Sequence, residues 1–156
     1  MFEIVRSIYL NHNGGLYIYR LHDEKINRLC NDKFSNLKKY LNVVFNKCPD
    51  NYFNYGPRGS SLKFKLPVDL IEINGHEVST LAKYGLEENK DRFTSAHPMV
   101  QNFMIENDNS TIAMEVPLWI TKDDLVDYEQ ILKTNDPLTG HIDVLRVEDD
   151  KIWVWD

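Results

Sequence analysis

Three carboxylates stand inside or against apolar runs in the second half of the chain. Glu115 lies within TIAMEVPLW, Asp143 within HIDVL, and Asp156 directly after WVW. Taking an ionised carboxylate out of water costs several kcal/mol, on the order of the price of many core contacts. Such groups are therefore paired or hold a cation. Side chains alternate along a strand, so Asp143 shares a face with His141, Leu145 and Val147, and Asp156 with Ile152 and Val154. Carried on three neighbouring strands, the acids converge on one point. Their oxygens are hard ligands, suited to Mg²⁺ or Mn²⁺ rather than zinc. Read singly, each acid is more simply an exposed strand end or a turn cap. Glu115, Asp143 and Asp156 on successive strands carry the chemical reading together. Glu148, Asp149 and Asp150 read as solvated turn residues, and Asp123, Asp124, Asp127 and Glu129 as one wet helix face.

The elements that must position these acids follow from pattern. Phe2 to Leu10 and Leu16 to Leu21 are β-branched and aromatic, and Asn11-His12-Asn13-Gly14-Gly15 between them predicts a hairpin turn. Apolar residues then recur at three and four from Ile26 to Phe45, predicting helix from His22 to about Lys47 with a break at Asn31 to Ser35. Residues 49–61, PDNYFNYGPRGSS, predict a loop. Leu62 to Leu66 and Asp69 to Ile73 predict short strands, and Val78 to Leu86 a helix. Thr94 or Ser95 caps a further helix with Val100, Phe103 and Met104 facing inward. A strand over Thr111 to Leu118 follows, then a polar helix or loop over Asp123 to Lys133. Strands over Thr139 to Val147 and Ile152 to Asp156 close the chain. Short links between successive strands favour antiparallel pairing. The expected class is α/β, an α+β layering of a helix on an antiparallel meander.

Composition sets the bounds. A chain of 156 residues with 42% hydrophobic and 12% aromatic content builds a packed core, and no run approaches a membrane span. The N-terminus lacks the layout of a signal peptide, so the expected compartment is cytoplasmic. Cys30 and Cys48 then read as free thiols. The net charge of −6 is unevenly spread. Residues 1–78 hold eleven Lys/Arg against eight Asp/Glu, and the remainder seven against sixteen. An acidic half is either a solvated surface or one that gathers carboxylates around a cation.

The constellation of Glu115, Gly140-His141-Ile142-Asp143 and Asp156 after Trp153-Val154-Trp155 resembles the PD-(D/E)XK nuclease superfamily. It looks most like the branch containing the nuclease domains of recombination-repair helicase–nucleases and the CRISPR-adaptation exonucleases. The resemblance covers about residues 94–156 and implies a restriction-endonuclease-like core. It implies that Asp143 and Asp156 bind Mg²⁺ or Mn²⁺, with His97 and Glu115 completing the site. Catalysis would rest on Asp143, Asp156 and Glu115. Glu106 is a rival ligand. The family carries a lysine two positions beyond the counterpart of Asp156, and then a helix. The resemblance thus predicts a chain cut inside its active-site strand.

The implied reaction is metal-dependent phosphodiester hydrolysis in DNA, with RNA a weaker fit, in repair, recombination or defence. For grip on DNA, Arg58, Lys63 and Lys65 are candidates for phosphate contacts, and Tyr55 for stacking on unpaired bases. The expected organisation is an appendage over residues 1–60, a hairpin plus helices that recognises substrate or a protein partner. A partial nuclease-like core over residues 61–156 follows. The alternative is a catalytically inactive module of the same fold that binds nucleic acid or protein.

Overall fold

The computed structural model describes residues 4–62, 69, 71–132 and 136–156. Five antiparallel strands form one sheet in chain order: β1 (Val5–His12), β2 (Gly15–His22), β3 (Thr111–Ile120), β4 (Leu138–Glu148) and β5 (Lys151–Trp155). Around it stand α1 (Asp23–Leu29), α2 (Ser35–Lys47), α3 (Asp50–Tyr55), α4 (Glu77–Glu88), α5 (Ala96–Asn107) and α6 (Glu129–Leu132). The expected mixed α/β class is the observed one.

The two hairpins at the sheet edges are closed by two-residue turns. His12 pairs with Gly15, and Asn13 and Gly14 take φ of 52° and 77°. Glu148 pairs with Lys151, and Asp149 and Asp150 take φ of 51° and 57°. Turns of this kind match the twist of the flanking strands, and Asn, Asp and Gly tolerate the left-handed region best. The helical region of the first half breaks where expected, with a 3₁₀ turn at Asp32–Phe34 between α1 and α2. Ile26 and Cys30 with Leu41 and Val44 bury against Tyr19, Leu21, Ala113, Leu145 and Val147. The next residue along β4, Val144, pairs with Trp155 and faces a pocket lined by Val78 and Leu86 of α4 and Val100 and Met104 of α5. Helices thus cover both faces, as the strand alternation requires. Helices α4 and α5 meet at Gly85, where a Cβ would stand 2.9 Å from the Cα of Val100.

The hairpin expected to belong to an appendage forms the first two strands of this sheet. Arg20 pairs with Met114 and Leu21 with Ala113, so residues before and after position 60 share one core. The expected loop over residues 49–61 instead contains α3 and a 3₁₀ turn at Gly59–Ser61. So short a helix draws its stability from packing. Here Phe53 is buried and stacks on His12, centroids 4.0 Å apart. The expected strand at Leu62 to Leu66 falls almost wholly outside the described residues. Of the Asp69 to Ile73 strand, Asp69 and residues 71–73 are described and carry no strand structure. The polar segment after Thr121 is a 3₁₀ turn at Val126–Tyr128 running into α6. Among the described residues, no helix is long and apolar enough to cross a membrane.

Candidate metal centre

The pairing registers bring the three acids into a row. Met114 pairs with Val144 and Val116 with Ile142, which sets Glu115 opposite Asp143. Val144 pairs with Trp155, and the same register continued by one residue sets Asp156 opposite Asp143 on the other side. Strand β3 is distorted to make this row. Its register shifts between Thr111 and Ala113, and Glu115 takes φ of 51° in the middle of the strand. A left-handed non-glycine residue costs on the order of 1–3 kcal/mol and is held only where its surroundings over-determine it. Beyond this point β3 has no paired partner in β2, and Pro117, which lacks an N–H, is accommodated. The Pro117 carbonyl accepts a hydrogen bond from the Tyr40 hydroxyl at 2.8 Å.

Helix α5 closes the row from above. His97 sits in its first turn, with its Nδ1 3.6 Å from Asp143 Oδ2. Gln101, four residues on and therefore on the same helix face, is buried. Its Nε2 donates to Glu115 Oε1 at 2.7 Å and to the Asp143 carbonyl at 3.3 Å. One ligand atom each from His97, Glu115 and Asp143 lie within 4.8 Å of one another. Asp156 is not one of that trio but lines the same cleft, together with Tyr17, Arg58 and His141.

Burial and neighbouring charge perturb both half-buried carboxyls of the row. Burial pushes the Glu115 carboxyl above its ordinary range; the Gln101 hydrogen bond opposes this, and Asp143 adds to it. Burial also raises Asp143; His97 opposes the shift and Asp156 reinforces it. Two half-buried carboxylates, one raised by Asp143 and the other by Asp156, would be relieved by a cation. Two carboxylates and one imidazole, with a third carboxylate alongside, fit a hard divalent ion such as Mg²⁺ or Mn²⁺.

Of the other candidates, Arg58 reaches the cleft. Its guanidinium lies 5.5 Å from the centroid of the Tyr17 ring, and Tyr17 stacks flat on His141 at 3.8 Å. Tyr55 is 90% exposed and stands on the surface of α3. Lys63 and Lys65 lie outside the described residues. Glu106 is taken up by Arg92, with two contacts of 2.8 Å, and belongs to another part of the surface. Cys30 and Cys48 are free thiols. Gln101, Tyr17 and His141 are site residues that the strand acids alone did not announce. Gln101 could have been found by its spacing of four from His97.

No protein-family model matches the chain, and neither a curated protein nor a solved structure matches it significantly.

Proposed function

We propose that this chain is a metal-dependent nuclease acting on DNA, with a restriction-endonuclease-like core made of α5, β3, β4 and β5. The observation that carries the reading is the cross-strand row of Glu115, Asp143 and Asp156 beneath His97. The trio of His97, Glu115 and Asp143 would hold Mg²⁺ or Mn²⁺, with Asp156 flanking it. Such an ion, when bound, polarises a scissile phosphate and lowers the pKa of its bound water.

The chain's own residues do the rest. Gln101 fixes the Glu115 carboxylate by donating to one of its oxygens, which aims the other. Its second contact, to the Asp143 carbonyl, ties α5 to β4 and keeps the two carboxylates in register. Arg58, laid against Tyr17, supplies a permanent positive charge at the cleft. A phosphate oxygen is the natural partner for that guanidinium. Without a cation, the three carboxylates repel a phosphodiester, so a chelator should abolish activity rather than reduce it.

The test uses the protein expressed from its whole reading frame. Mn²⁺-dependent cleavage of a DNA substrate, lost with EDTA and in Asp143→Ala, is the expected result. Mn²⁺ binding without cleavage would favour the inactive nucleic-acid- or protein-binding module. Failure to bind any divalent ion at Asp143 would sink the nuclease reading and leave the inactive module, which needs no cation.

A further inference from the structure

A second cluster of ligand-type side chains lies apart from the carboxylate row, on elements that the nuclease reading does not use. His12 ends β1, Cys48 follows α2, and Asp50 opens α3. The Asp50 N–H donates to the Cys48 carbonyl across Pro49 at 3.0 Å. This tight turn brings Sγ and Oδ1 to the same nitrogen of His12. His12 Nε2 is 2.7 Å from Asp50 Oδ1 and 3.8 Å from Cys48 Sγ.

We propose that His12, Cys48 and Asp50 form a second metal site, selective for zinc-type ions over Mg²⁺ and Mn²⁺. The donor set is one imidazole, one sulfur and one carboxylate. A thiolate is a soft ligand that hard ions do not favour. Tetrahedral zinc at its usual bond lengths spaces a sulfur and a nitrogen about 3.5 Å apart, and a nitrogen and an oxygen about 3.3 Å. The sulfur is already within a few tenths of an ångström of that spacing. The carboxylate must withdraw by roughly half an ångström, and the Asp50 side chain, 57% exposed, has solvent to move into. Its exposure also gives an ion a way in. Three protein ligands leave the fourth position to water, as in many reactive zinc sites.

His12 is held as a metal-bound imidazole is held. It is 1% exposed, and Phe53 stacks on one face. Its other nitrogen, Nδ1, is 2.8 Å from Nε2 of His141. Ligating histidines are usually oriented by such a partner on the far nitrogen. An ion on His12 Nε2 requires the proton on Nδ1, which then donates to His141 Nε2. The His141 proton moves to its own Nδ1, a buried atom that has no hydrogen-bond partner among the described residues. The Cys48 proton leaves to solvent. A His–Asp pair with the Cys48 thiol hydrogen-bonded to the same Asp50 carboxylate is the metal-free alternative, and metal binding separates the two.

Co²⁺, which takes zinc sites and reports on them by its spectrum, is the probe. The expected result is one equivalent giving a thiolate-to-metal charge-transfer band and tetrahedral visible bands. Cys48→Ser should lose the charge-transfer band and weaken Co²⁺ binding at least about tenfold, and His12→Ala more. The band should persist in Asp143→Ala, because that variant removes only the carboxylate centre. A band unchanged in Cys48→Ser, or absent from the wild-type protein, overturns the proposal. Should the variants not fold, thiol reactivity of the wild-type protein decides. One equivalent of Zn²⁺, but not Mg²⁺, should protect Cys48 from a thiol reagent, with Cys30 buried and silent. Cys48 labelling at an unchanged rate in the presence of Zn²⁺ overturns the assignment.

Discussion

Glu115 lies directly across the β3–β4 ladder from Asp143, on a backbone turned into the left-handed region at φ 51°. Both carboxyls are pushed above their ordinary range, first by burial. The sign of the consequence for stability is fixed. A carboxyl whose folded pKa is raised binds protons more tightly in the native state than in the unfolded one. Stability then falls as pH rises from the unfolded pKa through the folded one, and the whole cost is present above the folded pKa. Asp143→Asn should therefore raise the metal-free melting temperature at pH 7 by a few degrees, roughly what 1 kcal/mol produces in a chain of this size. The gain should shrink towards pH 4. Wild-type protein should recover the difference with Mn²⁺, and the variant should not. Melting curves at two pH values with and without Mn²⁺ check all three statements.

Gln101 tests whether the acids are positioned or merely adjacent. Its amide donates to Glu115 and holds that carboxyl's pKa down against burial. Gln101→Leu keeps the bulk and removes the donor. Glu115 then becomes a poorer anion and loses its orientation. Outer-sphere partners of metal ligands are typically worth 10–100-fold in affinity, so a loss of about tenfold in Mn²⁺ binding is expected. Calorimetric titration gives the number. An unchanged affinity would mean that Glu115 does not take part in holding the ion.

Arg146 anchors the side of β4 that carries α4 and the end of α5. It is fully buried, three residues from Asp143, and its Nη2 reaches Glu77 at 3.0 Å and Glu148 at 3.5 Å, with Asp108 at 4.0 Å. Asp108 also pairs with the buried Lys25 at 3.5 Å and accepts from the Thr111 hydroxyl. Removing one partner of a buried charge network strands the others, at a cost of about 3–5 kcal/mol. Arg146→Ala should lose that much, measured by urea unfolding. Glu77→Gln should lose far less, since the Glu77 side chain is 57% exposed and water can replace it.

These particular residues also mark what could and could not be read from sequence. The two hairpins were legible because their turns carry the few residues that accept positive φ: Asn13-Gly14 in one and Asp149-Asp150 in the other. The carboxylate row was legible because alternation along each strand and the chain order of the strands set which acids can be neighbours on a sheet. Three things were not. Helix α3 owes its existence to the burial of Phe53 against His12, a contact 41 residues long-range that no local pattern signals. Glu148 reads as a solvated turn residue but is drawn to Arg146, because only the fold buries that guanidinium. The left-handed kink at Glu115 is absent from the pattern altogether, since a glutamate inside TIAMEVPLW gives every local reason to stay extended.

The proposed contact with nucleic acid can be tested at two neighbours of different standing. Arg58 is in the cleft beside the acids, whereas Tyr55, three residues earlier, stands in solvent. Removing a phosphate contact weakens binding to all sequences alike and lowers the salt dependence by about one counterion. Arg58→Ala should do this, with a slope of affinity against salt reduced by about 0.7–0.9 on a logarithmic plot. Tyr55→Ala should leave the melting temperature unchanged, because the ring has no core to leave. If the ring stacks on an unpaired base, the same substitution costs about 1–3 kcal/mol in single-strand binding and nothing in duplex binding. Fluorescence anisotropy on matched single- and double-stranded oligonucleotides, in the presence of Ca²⁺ to hold the site without turnover, reads both effects. A Tyr55→Ala loss equal on the two substrates would assign the ring to general surface contact rather than stacking.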